Sequence, residues 1–161
     1  MRRVWLVRLI AVMGCTTSLT VAAAHAAPAS FKTGSYKAKI NAKKFSITLK
    51  PGRCGGASKL CVALPVTPVI QCHGPAISSG GVEARFATPV ALPASGKLTQ
   101  RAPATASNPG LPPAHGQATF SVAFTRKGTA SGYFELSLTA NLGGNSLPCS
   151  SGKVRFTAKL G

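Results

Sequence analysis

Along most of the chain, apolar and polar residues change places at every step, not at every third or fourth. Lys37 and Lys39 separate Tyr36, Ala38 and Ile40, and Phe45, Ile47 and Leu49 alternate with Lys44, Ser46, Thr48 and Lys50. Val82, Ala84 and Phe86 interleave with Glu83 and Arg85, and Phe120, Val122 and Phe124 with Ser121 and Ala123. Phe134, Leu136 and Leu138 alternate with Glu135 and Ser137, and Val154, Phe156, Ala158 and Leu160 with Lys153, Arg155, Thr157 and Lys159. Successive side chains on a strand point to opposite faces, so each stretch predicts a strand with one apolar and one polar side. Antiparallel sheets with one face in water are written this way. Leu60–Leu64 and Val66–Gln71 add two shorter strands, which Pro65 and Pro68 assign to sheet edges.

Turn signals punctuate these stretches at Pro51-Gly52, Ser79-Gly80-Gly81, Ser95-Gly96, Lys127-Gly128 and Gly143-Gly144-Asn145. The segment Ala102–Gly116 is rich in Pro, Ala and Ser without periodicity, and reads as an exposed loop. Capped helical spacing is missing from residue 27 onward. About eight or nine short strands predict an all-β fold, an antiparallel β-sandwich, with an up-and-down β-barrel as the alternative.

The N-terminus departs from this pattern. Arg2 and Arg3 precede an apolar run broken only by Arg8, and Ala24-His25-Ala26 supplies small residues at a cleavage-like position. That is the layout of an export signal over residues 1–26, followed by a single domain over 27–161. Arg8 and the hydroxyl-rich run from Thr16 to Thr20 disfavour a membrane anchor, which needs about 20 apolar residues. Val12-Met13-Gly14-Cys15 gives the alternative of a lipid-anchored protein attached through Cys15, and Arg2-Arg3 leaves Sec and twin-arginine export both open.

Export agrees with the cysteines. Cys54, Cys61, Cys72 and Cys149 remain beyond the leader, an even number in a short chain. Of three possible connectivities, a local Cys54–Cys61 clasp with a long-range Cys72–Cys149 staple is preferred. A zinc site using these thiols with His73 would require tighter cysteine spacing.

The chain has 19 Lys and Arg against two acidic residues, a formal net charge of +17. No catalytic constellation emerges from so few acids. Glu83 and Glu135 stand alone on polar strand positions, His73 and His115 lack any Asp beyond the leader, and Ser150 and Ser151 sit in an expected turn without a nucleophile elbow. A non-enzymatic domain with neither cofactor nor metal is the expectation. Lys37, Lys39, Lys44, Lys50, Arg85, Lys153, Arg155 and Lys159 occupy outward strand positions. If the first, second and last strands share a sheet, several of these cations form one positive face suited to anionic cell-wall or extracellular polymers. Solubility and protection of sheet edges is the plainer account of the same charge. A small-molecule carrier with an apolar pocket and a secreted enzyme inhibitor are the alternative functions.

Gly34-Ser35-Tyr36-Lys37-Ala38-Lys39, Phe45-Ser46-Ile47-Thr48-Leu49, the mid-chain Cys72, Gly128-Thr129-Ala130-Ser131-Gly132 and the closing Cys149-Ser150-Ser151-Gly152-Lys153-Val154-Arg155-Phe156-Thr157-Ala158-Lys159 together form a recognisable series. It resembles a recurring type of secreted bacterial all-β protein of uncharacterised function. The resemblance covers most of residues 34–160 and implies a fold and a Cys72–Cys149 pairing, without implying an activity. Cys54, Cys61 and the proline-rich segment depart from that type.

Overall fold

The computed structural model describes residues 30–40, 42–55, 57–64, 70–74, 81–107 and 112–161; the expected leader, with Cys15, lies outside them. Nine strands run through the described residues: β1 (Gly34–Ile40), β2 (Lys43–Cys54), β3 (Ala57–Ala63), β4 (Gly81–Ala84), β5 (Val90–Ala91), β6 (Lys97–Ser107), β7 (Ala114–Phe124), β8 (Thr129–Leu142) and β9 (Asn145–Leu160). All-β, antiparallel architecture is therefore as expected. The ladders join every strand into one sheet of order β4-β6-β7-β8-β9-β1-β2-β3-β5, not into two separately paired sheets.

That sheet is a curled half-barrel, and its aromatic contacts measure the curl. Tyr36 on β1 and Phe124 on β7 have ring centroids 5.0 Å apart, edge to face. Three strand steps separate β1 from β7, which a flat sheet spreads over about 14 Å. Phe45 on β2 meets Phe134 on β8, also three steps away, at 5.7 Å. Phe120, Phe134 and Phe156 gather on the same concave side, with centroids 4.9 to 6.2 Å apart. Burial of these rings drives the bending, since each removes a large apolar area from water and gains further from offset contact. Register keeps the pattern consistent from strand to strand. Tyr36 faces Ile47 and Leu160, and Ala38 faces Phe45 and Ala158, so one side of each of these two ladders is apolar.

Two hairpins show how local sequence sets the register. β8 and β9 are joined through Gly143-Gly144, both at positive φ, between the facing pair Leu142 and Asn145. Two-residue hairpins of this twist need left-handed backbone, which glycine supplies without a Cβ clash. β1 and β2 are also joined by two residues, between Ile40 and Lys43, but Ala42 carries φ of 64° there.

Several expectations need correction. Ala102–Gly116 is not one exposed loop. Residues up to Ser107 belong to β6 and those from Ala114 to β7, leaving only the link between them as connection. Its alternation was carried by alanine: Ala102, Ala104 and Ala106 are buried while Pro103 and Ser107 face out. Pro103 is tolerated because it lies one residue past the end of the β4–β6 ladder, which closes at Ala84 and Ala104. Pro51-Gly52 is no turn either; both residues lie inside β2, and the chain reverses beyond Cys54. β3 has β2 on one side and a two-residue pairing with β5 on the other, so it is not an edge strand. Of the strand expected at Val66–Gln71, residues 66–69 lie outside the described residues and Ile70-Gln71 are not in a strand. Ser150 and Ser151 are part of β9, at the bulge opposite Leu136 and Ser137.

Both preferred disulfides are present. Cys54 and Cys61 bridge β2 to β3 with Cα atoms 6.0 Å apart, straddling Gly52, where a Cβ would meet the Cys61 sulfur at 3.3 Å. Cys72 and Cys149 bridge 77 residues with Cα atoms 5.5 Å apart. Beside this second bridge, His73 and Ser150 exchange two backbone hydrogen bonds of 3.0 and 3.2 Å, holding the segment before β4 against β9.

Candidate anion-binding face

Outward positions of β9, β1 and β2 carry the charge. Lys153, Arg155 and Lys159 alternate with the inward Val154, Phe156 and Ala158 on β9, and Lys37 and Lys39 with Tyr36, Ala38 and Ile40 on β1. Lys44 and Lys50 alternate with Phe45, Ile47 and Leu49 on β2. All seven cations are exposed. Because β9, β1 and β2 are neighbours in the sheet, the register brings these seven onto one face. Arg85 does not join them. It follows β4, four strands from β9 in the sheet order, where it has a partner of its own.

The ladders set like charges directly against each other. Lys37 is the Cα partner of Lys159, and Lys39 of Lys44. Facing side chains in an antiparallel pair have Cβ atoms about 5 Å apart, and like charges at that position destabilise the sheet. No Asp or Glu occurs in β9, β1 or β2 to offset them. On the next strand, β8, Glu135 faces Lys153, and the Lys153 ammonium lies 5.0 Å from the centroid of the Tyr133 ring. Outward positions repeat about every 6.8 Å along a strand, so Lys37, Lys39, Lys44 and Lys159, set side by side in the ladders, have nearest neighbours within the Debye length of about 8 Å at physiological salt.

Edge protection does not account for this placement, because the edge strands are β4 and β5, and β9, β1 and β2 occupy the interior of the sheet order. Two depressions lie on the charged face. One, with a volume of about 1040 Å³, is lined by Lys37, Lys39, Lys44 and Lys159 with Ser46 and Thr157. The other, of about 650 Å³, extends from Lys39 and Thr157 across Ser131 and Ser121 to Lys97 and Thr99 on β6. Lys97 and Tyr133 were missed as candidates. The alternation of Lys97, Leu98 and Thr99 after the Ser95-Gly96 turn was the available signal.

Among the acid–base candidates, Glu83 on β4 is the Cα partner of Thr105 and Thr105 that of His115, which sets Glu83 and His115 two strand steps, about 10 Å, apart. His115 on β7 and Glu135 on β8 both face outward, but His115 lies opposite Thr139 and Glu135 opposite Thr119. Those are two outward rows apart, about 14 Å by strand geometry. His115 Nδ1 is 3.4 Å from the Thr105 hydroxyl, a cross-strand neighbour. His73 sits in the bridge to Ser150, away from both. The cysteines, once candidates for zinc with His73, are consumed in disulfides. Within the core, the fully buried Tyr36 hydroxyl donates to the Lys32 carbonyl at 2.5 Å, and burial raises its pKa above the ordinary 10.0. Comparison with protein-family models, with curated proteins and with solved structures returns no match for this chain.

Proposed function

We propose that this chain is an exported, non-enzymatic β-domain that binds anionic polymers at or outside the cell envelope through the outer face of β9, β1 and β2. The observation that carries this reading is the direct opposition of Lys37 to Lys159 and of Lys39 to Lys44. A surface selected only for solubility intersperses both signs, and pairing like charges across a ladder costs stability with no structural return. A bound polyanion supplies the return. Two disulfides belong to an oxidising compartment, in keeping with an export leader at residues 1–26. The finer fold belongs to the same reading: the half-barrel closes on itself around its phenylalanines as a sandwich-like core, with the cations outside. Those phenylalanines fill the concave side, which disfavours the carrier alternative. The enzyme-inhibitor alternative relied on an exposed Ala102–Gly116 loop, most of which is strand.

Binding of wall polymer or heparin, measured at low and moderate salt, tests the proposal. Affinity is expected to fall steeply as salt rises, since each neutralised anionic group releases counterions. Replacing Lys37, Lys39, Lys44 and Lys159 together by Gln should reduce both the affinity and the salt slope. Absence of binding at every salt concentration would overturn the proposal.

A further inference from the structure

Resting on the reading above, we infer that the trough between Lys39 and Lys97 is a subsite for successive phosphodiester groups of a polyol polymer. Four outward positions lie in register across the sheet there: Lys97 faces Ala123, Ala123 faces Ser131, and Ser131 faces Thr157. Lys39 stands at the far end, on β1. Long cationic side chains thus bracket a floor of small ones, leaving a depression of about 650 Å³ with Arg155 and Tyr133 in the adjoining row.

The spacing selects a chain over a single ion. β6 and β1 are four strand steps apart, about 19 Å on a flat sheet, so the two ammonium groups address different charges of one ligand. The donor set selects the oxyanion. Lysine ammonium groups are point charges, and here each stands at one end of the trough beside a hydroxyl that lines it, Lys39 with Thr157 and Lys97 with Thr99. A point charge beside a hydroxyl suits the oxygens of a phosphate group, for which Lys, Ser, Thr and Tyr are common partners. The arginine fork pairs bidentately with carboxylate and phosphate alike, and Arg155 is the single guanidinium lining the trough, so recognition here rests mainly on ammonium and hydroxyl groups. Nucleic acid is disfavoured by the aromatic on the rim. Tyr133 is half-buried with the Lys153 ammonium 5.0 Å from its ring centroid, so it offers a base little stacking surface.

The test measures binding of the folded, disulfide-bonded domain to poly(glycerol phosphate), polyglutamate and single-stranded DNA at one salt concentration. Poly(glycerol phosphate) is expected to bind about tenfold tighter than the other two, as a donor-matched anion should. Ser131→Leu fills the trough without changing charge, and should abolish that preference. Lys97→Gln, at an exposed position, should weaken poly(glycerol phosphate) binding more than Lys50→Gln, which lies outside the trough. Equal binding of all three polymers, or a preference that survives Ser131→Leu and Lys97→Gln, would overturn the subsite and leave the charged face standing. A preference for DNA would overturn the polyol assignment. No salt-sensitive binding to any polymer would overturn both the subsite and the reading beneath it.

Discussion

Tyr36 shows how much one side chain does for the closure of this sheet. Its ring packs edge-on against Phe124, three strands away, and its hydroxyl is satisfied by the Lys32 carbonyl just before β1. Tyr36→Phe should cost about 1 kcal/mol near neutral pH, the ordinary net worth of a hydrogen bond. Burial raises the folded-state pKa above 10.0, so the folded state holds this proton more tightly than the unfolded chain. Stability from the buried phenol is complete below pH 10.0 and is lost as pH rises through the higher folded value. The advantage of wild type over Tyr36→Phe in denaturant titrations should therefore shrink above that pH. Ala42 is the opposite case, a residue whose side chain works against its backbone. With φ of 64° in a two-residue turn it holds a conformation that a Cβ disfavours, and Ala42→Gly should stabilise by about 1 kcal/mol in the same titrations.

At the scale of strands, the clearest strain is electrostatic. Lys37 with Lys159 and Lys39 with Lys44 repel across their ladders, so Lys37→Gln or Lys159→Gln should raise the melting temperature at low ionic strength. Added salt should narrow the difference from wild type, because screening removes what the substitution removes. How far strands were legible in the sequence depended on the size of their inward residues. Phe, Ile and Leu marked β1, β2, β7, β8 and β9 by alternation, though each runs beyond the stretch that alternation outlined. In β6 the inward residues after Leu98 are Ala102, Ala104 and Ala106, and Pro103 lies among them, so a regular strand read as a loop. Small residues suffice there because the facing positions are small as well: Ala118 lies opposite Ala102 and Gly116 opposite Ala104. A Cβ on Gly116 would come within 2.0 Å of the Ser137 carbonyl oxygen, which keeps that position bare. The candidate face was legible for the same reason as the large-residue strands. Seven cations alternate with large apolar residues, whereas Lys97 stood at the head of the misread β6. Alternation reveals which side of a strand a residue faces, but not where that strand falls in the sheet, so the place of Arg85 beyond β4 was not legible in the sequence.

For the whole molecule, the two disulfides differ in what they enclose. Cys54–Cys61 closes a sequence separation of 7 and Cys72–Cys149 one of 77. Loop-closure entropy assigns them about 2.5 and 4.5 kcal/mol respectively. Replacing Cys72 and Cys149 by Ala should thus lower unfolding free energy by roughly 2 kcal/mol more than replacing Cys54 and Cys61. The long bridge also secures the segment around Cys72, whose β-pairing among the described residues is the isolated His73–Ser150 bridge.

The facing lysines have a further consequence through mass action. Whatever neutralises them binds the native form in preference to the denatured one, and so shifts the unfolding equilibrium. Under the proposed polyanion binding, the domain is hardest to digest where the polymer is concentrated and easiest to digest once it drifts away. Its lifetime would then mark out the territory in which it works.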